Sequence, residues 1–261
     1  MRRKNKISVL IIATGKYIQF IDSLIRSAEK NFFLGSEKNY FVFTDSVEEI
    51  NIEGANIEKI EQKKLGWPYD TMMRFHMFLS IKEKIQNSDF TFFLNANMEF
   101  LNEVGEEILP DRNKTFFVGV KHPGFFKLPT FLMPYESRRE SSFFVPDEGN
   151  RNKMYYQGCF NGGESSKWIE MCEILSERID KDLKSNIIPI WHDESAINWY
   201  FKDIDLISLE PNYAIPEAVL SGNFQPASTN NVHCYHYLTD VKPYAVQRDK
   251  GNHGGSDFLR S

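Results

Sequence analysis

The chain has 261 residues and a formal net charge of -5, and its only run of like charge is Arg2, Arg3 and Lys4, so a nucleic-acid partner has no electrostatic support. The first apolar run, Ile7 to Ile12, is far too short for a membrane span and carries no signal-peptide cleavage site. Three cysteines, Cys159, Cys172 and Cys234, cannot all pair, which points to a reduced, cytoplasmic setting, and the length suits one large α/β domain.

In chain order, Ser8 to Ile12 reads as a buried strand followed by the turn Ala13-Thr14-Gly15-Lys16. Ile18, Ile21, Leu24, Ile25 and Ala28 then fall at helical spacing. Strands at Tyr40 to Thr44 and Ile57 to Ile60 complete a nucleotide-type βαβ opening. The first loop lacks Gly-x-Gly-x-x-Gly, which argues against a dinucleotide and favours a base and ribose held by backbone and Tyr17. Asp70 or Thr71 is a plausible cap for a helix running to about Lys84, with Arg74 off its apolar stripe. Asp89 to Leu94 reads as a strand buried on both faces. It ends at Asn95-Ala96-Asn97, where a period of two would put both amides on one side of the chain, although asparagines here also suit a plain turn.

Downstream, Val104 to Leu109 reads as a short helix and Thr115 to Lys121 as a strand ending in His122-Pro123-Gly124, a setting that suits a sugar-facing wall. Lys127 to Lys153 is irregular, the mark of a functional loop. Met154 to Phe160 resumes as a strand, broken by Gly162-Gly163 before a helix from Ser165 to about Leu183. Trp191-His192-Asp193-Glu194-Ser195 precedes another helix, with Asp193 as candidate cap and Glu194 in its first turn. The same carboxylates suit a sugar-processing centre, which needs a carboxylate facing an anomeric carbon.

These residues carry a resemblance. Tyr40 to Asp45, Gly66-Trp67, Met73-Arg74, His122-Pro123-Gly124-Phe125, Pro146 to Gly149, Tyr155-Tyr156 through Gly162-Gly163 and Trp191 to Ser195 stand in the order found in glycosyltransferase family 6. The chain resembles these retaining α-1,3-galactosyl- and N-acetylgalactosaminyltransferases, which include the histo-blood group enzymes. The resemblance implies a single GT-A domain over 1–261, an α/β fold with a mixed central sheet flanked by helices and a Rossmann-like N-terminal half. Residues 1–100 would bind UDP, 101–240 the acceptor and donor sugar, and 241–261 would form a mobile tail closing on the diphosphate. The expected reaction moves galactose or N-acetylgalactosamine from a UDP-sugar to a galactose-containing glycan, a 2'-fucosylated one among the candidates. The alternative is a non-catalytic UDP-sugar- or glycan-binding protein of the same fold. Mammalian members are membrane-anchored, whereas this chain starts at the catalytic domain and looks like the soluble microbial or phage-borne relatives.

Carried over position by position, Ile12, Thr14 and Tyr17 match the nucleotide-binding positions, joined on the donor side by Arg74 and by Gln157, Gly158 and Cys159. Gln157 and Cys159 match the donor-selecting pair, and their bulk favours UDP-galactose over the acetamido donor, whereas Gly124 points mildly the other way. Asn95 and Asn97 replace the Asp-x-Asp pair that holds manganese in the mammalian enzymes. Neutral amides are poor ligands for a hard cation, so no divalent metal is expected. Lys250 and Arg260 then match basic tail residues that offset leaving-group charge. Glu194 matches the carboxylate opposite the leaving group, Asp193 a holder of donor hydroxyls, and His122, Trp191 and Glu217 the acceptor side.

Overall fold

Parallel strands open the chain. β1 (Lys6–Ile12), β2 (Glu37–Thr44), β3 (Asn56–Glu61) and β4 (Phe90–Asn95) form one half of a seven-stranded sheet in a computed structural model that describes residues 3–146, 153–223 and 232–249. Helix α1 (Ile21–Asn31) makes the crossover from β1 to β2, as the βαβ reading requires. The sheet continues through β6 (Phe117–Lys121), β7 (Tyr156–Glu164) and β8 (Ile207–Leu209), in the order β3-β2-β1-β4-β7-β6-β8. β7 runs antiparallel to both β4 and β6, so the sheet is mixed. A second sheet of three strands joins β5 (Met98–Phe100), β10 (Ala245–Gln247) and β9 (Ile215–Pro216).

The period of two divides the core between the two faces of the large sheet. Val9 and Ile11 of β1, with Phe92 and Leu94 of β4, pack toward α1. Leu10 and Phe93 point the other way, against the helices that follow β3 and β7. Those helices are α2 (Tyr69–Met72), α3 (Arg74–Leu79), α4 (Lys82–Ile85), α5 (Ser165–Lys184) and α6 (His192–Phe201). α5 buries Trp168, Met171, Cys172, Leu175 and Ile179 as one stripe. Two short helices, α7 (Glu217–Leu220) and α8 (Val232–Thr239), fall where the sequence shows no clear period. All three cysteines are free and buried, and no helix among the described residues is long and apolar enough to cross a membrane.

Three local expectations need correction. The single helix to Lys84 is three short ones, interrupted at Met73 and Ile81 by non-helical ψ angles of 6° and 23°. Asp70 caps the preceding loop instead, accepting from the N–H groups of Leu65 and Gly66 at 2.6 and 3.0 Å. Val104 to Leu109 holds only a 3-10 turn at Glu106–Ile108, because Val104 is drawn into a bridge with Phe32. Gly162-Gly163 does not break its strand but lies inside β7. A Cβ on Gly162 would come within 2.3 Å of the Phe92 ring, and one on Gly163 within 2.5 Å of the Phe116 carbonyl. Glycine is needed there for close approach of neighbours, not for a turn.

Candidate active site

β1 and β4 are adjacent parallel strands whose connections leave in opposite directions, and ligands bind at the carboxyl end of such a junction. Ile12 and Asn95 stand side by side there and line a cleft of about 430 Å³. Thr14 and Tyr17 continue the wall on the β1 side. The loop between them depends on Gly15, whose φ of +58° brings its N–H to Asp45 Oδ1 at 2.7 Å, while Lys64 packs over the bare Cα. Thr44 Oγ at the end of β2 ties the same turn by donating to the Ala13 carbonyl at 2.8 Å.

The opposite wall is charged. α6 begins at the cleft, and its first turn presents Asp193 and Glu194. Asp193 is not the cap; residue Trp191 occupies that position, its N–H donating to Ser195 Oγ at 3.0 Å. Glu194 Oε2 accepts from the Gly158 N–H at 2.8 Å. Burial lifts its pKa from 4.5 to about 7, against the lowering effect of that backbone bond.

Arg74, expected on an exposed helix face, is instead 2% exposed because α3 turns it beneath the cleft. Its Nη1 pairs with Asp193 Oδ2 at 2.7 Å and donates to the Gly158 carbonyl at 2.9 Å, and its guanidinium lies 4.4 Å from the Phe93 ring centroid. Nε and Nη2 are buried without a hydrogen-bond partner among the described residues. Gly158 thus links both carboxylates through its two backbone groups, with Gln157 and Cys159 flanking it in the cleft wall.

His122 and Trp191 also line the cleft. Burial lowers His122 to about 3, so its imidazole is neutral; Nδ1 accepts from the Gly124 N–H at 3.0 Å, which leaves the proton on Nε2. Glu217 is not in the wall. It pairs with Arg248 and accepts from the Asp249 N–H at 2.8 Å.

Asn95 and Asn97 also part company. The chain turns at Ala96-Asn97, so the alternation of an extended strand no longer holds. Asn95 faces the cleft, whereas Asn97 is 3% exposed and its Nδ2 donates to the Arg248 carbonyl at 2.8 Å. The Asn97 carbonyl accepts from the Arg248 N–H at 2.8 Å, completing a two-point grip on the tail. Lys250 and Arg260 lie outside the described residues.

A family model for glycosyltransferase family 6 matches residues 1–221. The chain belongs to glycosyltransferase family 6. It is 34% identical over 212 residues to the O-antigen biosynthesis glycosyltransferase WbnI of Escherichia coli, covering 81% of this chain and 88% of that one. Identity to globoside alpha-1,3-N-acetylgalactosaminyltransferase 1 of Gallus gallus is 32% over 203 residues, covering 75% of this chain and 57% of the relative. Histo-blood group ABO system transferase 2 of Rattus norvegicus matches at 27% over 206 residues, with 76% and 59% covered. The chain therefore spans somewhat more than half the length of these two animal relatives. Membership makes it a glycosyltransferase of GT-A-like fold that uses a sugar donor and an acceptor, within glycan biosynthesis.

Several residues of this glycosyltransferase's cleft escaped sequence reasoning. Lys16 and Lys64 bring cations to the side formed by Ile12, Thr14 and Tyr17, and Trp67 lines the cleft with its ring 4.9 Å from that of His192. Lys16 adjoins Tyr17 and was legible as part of the first loop. Gln247 reaches the cleft from β10, and no local pattern marked it.

Proposed function

We propose that the chain is a retaining α-1,3-glycosyltransferase that moves galactose, in preference to N-acetylgalactosamine, from UDP to a galactose-containing glycan without a divalent metal. The observation that carries this reading is the carboxylate pair in the cleft wall: Glu194 held by the Gly158 N–H, and Asp193 held by buried Arg74. The nucleotide would lie against Ile12, Thr14 and Tyr17, with the sugar over Gly158. The buried, unpartnered Nε and Nη2 of Arg74 are donors that sugar or phosphate oxygens would satisfy.

In the reaction, the bond from the anomeric carbon to the diphosphate breaks. The acceptor oxygen bonds that carbon on the same face, and its proton leaves with the diphosphate. Glu194 serves the opposite face, as a nucleophile or as a charge stabiliser for an oxocarbenium-like transition state. His122 and Trp191 would border the acceptor. Lys250 and Arg260 are assigned to offset the leaving-group charge.

The manganese of the Asp-x-Asp relatives does not fit the residues present here. Asn95 is a neutral amide, and Asn97 spends its Nδ2 on the Arg248 carbonyl rather than facing the cleft. The bulk of Gln157 and Cys159 supports galactose as the donor sugar, and the similarity to the Gallus gallus globoside alpha-1,3-N-acetylgalactosaminyltransferase supports an α-1,3 linkage. The test is transfer from UDP-galactose and UDP-N-acetylgalactosamine to a 2'-fucosylated galactoside and an unfucosylated one, with EDTA throughout. Transfer in EDTA with galactose preferred is expected. Loss of transfer restored by manganese would overturn metal independence, and binding without turnover would favour the non-catalytic reading.

A further inference from the structure

Gln157 and Cys159 stand on β7 on either side of Gly158, whose backbone touches Glu194 and Arg74. A sugar seated against Glu194, as proposed above, would rest on these two side chains. The Gln157 amide is saturated by the protein. Its Oε1 accepts from Cys159 Sγ at 3.0 Å and from Gln247 Nε2 at 2.9 Å. Its Nε2 donates to the Ala214 carbonyl at 3.3 Å and the Lys121 carbonyl at 3.5 Å. Two donors and two acceptor sites are all that an amide has. Gln157 is 3% exposed, so it meets a ligand as a wall of fixed shape and not as a hydrogen-bonding group.

One of those four bonds comes from far along the chain. Gln247 ends β10, whose register places it opposite Met98 of β5 and beside Pro216 of β9. The next two residues are gripped in turn, Arg248 by Asn97 and Asp249 by Glu217. Gln247 also donates to the Ala214 carbonyl at 3.2 Å, the group that Gln157 itself uses. The strand leading into the tail thus holds the donor wall from its own place at the cleft edge.

We propose that Gln247 is a specificity-determining residue, acting as the positioning partner of Gln157. By fixing that side chain, it sets whether a hydroxyl or the larger acetamido group fits against β7. This rests on the UDP-sugar transferase reading above. Without Gln247, Gln157 loses one of two bonds to Oε1 and can swing aside, which relaxes discrimination with no change in the charged groups of the cleft.

The test compares kcat/KM for UDP-galactose and UDP-N-acetylgalactosamine in the full chain, in Gln247→Met, Gln247→Ala and Gln157→Ala, and in the Gln157→Ala/Gln247→Met double variant. Methionine keeps the length of the side chain and removes its donor. Both Gln247 variants should shift the donor ratio about tenfold toward the acetamido donor, mainly through KM. In the Gln157→Ala background, Gln247→Met should shift it no further, because the two act through one contact. An unchanged ratio, an equal loss for both donors or additive effects in the double variant would overturn the proposal. If the unaltered chain neither transfers nor hydrolyses either UDP-sugar, the functional reading falls and takes this inference with it. An active chain whose donor ratio ignores Gln247 sinks the inference alone.

Discussion

Arg74 and Asp193 form a buried ion pair, Nη1 to Oδ2 at 2.7 Å, with side chains only 3% and 14% exposed. Burial pulls the guanidinium pKa down, while Asp193 and Glu194 pull it back up. Breaking such a pair by removing one partner leaves an uncompensated charge and costs about 3–5 kcal/mol. Arg74→Ala should therefore lower the urea midpoint markedly and abolish transfer. Arg74→Lys should recover part of the stability but little of the rate, because the single ammonium of a lysine can replace only Nη1, which meets Asp193 and the Gly158 carbonyl, and lacks the rest of the fork, the Nε and Nη2 donors proposed for the substrate. Equal rates for Arg74→Lys and the unaltered chain would show that the fork is unimportant.

Glu194 sets the pH response. Its pKa is lifted by burial to about 7, and in the proposed reaction the ionised form is the one that would face a developing positive charge. The free enzyme's kcat/KM should rise with pH up to about 7 and level off above it. Glu194→Gln should remove most turnover while leaving UDP affinity within about twofold. Stability should run the opposite way. Between about 4.5 and 7 the folded chain binds more protons at this site than the unfolded chain, so this contribution to stability is present at low pH and lost as pH rises. The difference in urea midpoint between pH 5 and pH 8 should therefore be more favourable to high pH in Glu194→Gln than in the unaltered chain.

Restoring aspartates at 95 and 97 should not restore a manganese requirement. Asn97→Asp removes the Nδ2 donor and sets a carboxylate against the Arg248 carbonyl. The buried, unmatched acceptors should cost about 1–3 kcal/mol. Isothermal titration of manganese into the double variant should show no tight site. A micromolar site with metal-stimulated transfer would show that the turn can reorient.

Gly162→Ala should be more damaging than most core substitutions. The added methyl would meet both the Phe92 ring and the Thr91 carbonyl at 2.7 Å or closer. Neither can move without disturbing the β4–β7 pairing, so the cost should be about 3 kcal/mol. A thermal midpoint within a degree of the unaltered chain would contradict that packing.

The amino-acid sequence by itself determined the layered α/β core. Alternating apolar residues in β1 and β4 and the stripe of α5 are local patterns that allow one packing direction each. It also supplied the chemistry of the cleft, since carboxylates after Trp191 and amides after a buried strand are legible as types and positions. Only the tertiary structure decided how those groups face one another. Asn97 turned to grip Arg248, 151 residues away, Arg74 reached Gly158 across 84, and Gln247 closed on Gln157 across 90. Each is a polar bond made in a buried or part-buried setting between segments brought together by apolar packing. A local pattern holds no record of the partner, because the packing selects which distant side chains meet and the cost of leaving a buried polar group unpaired then fixes the bond.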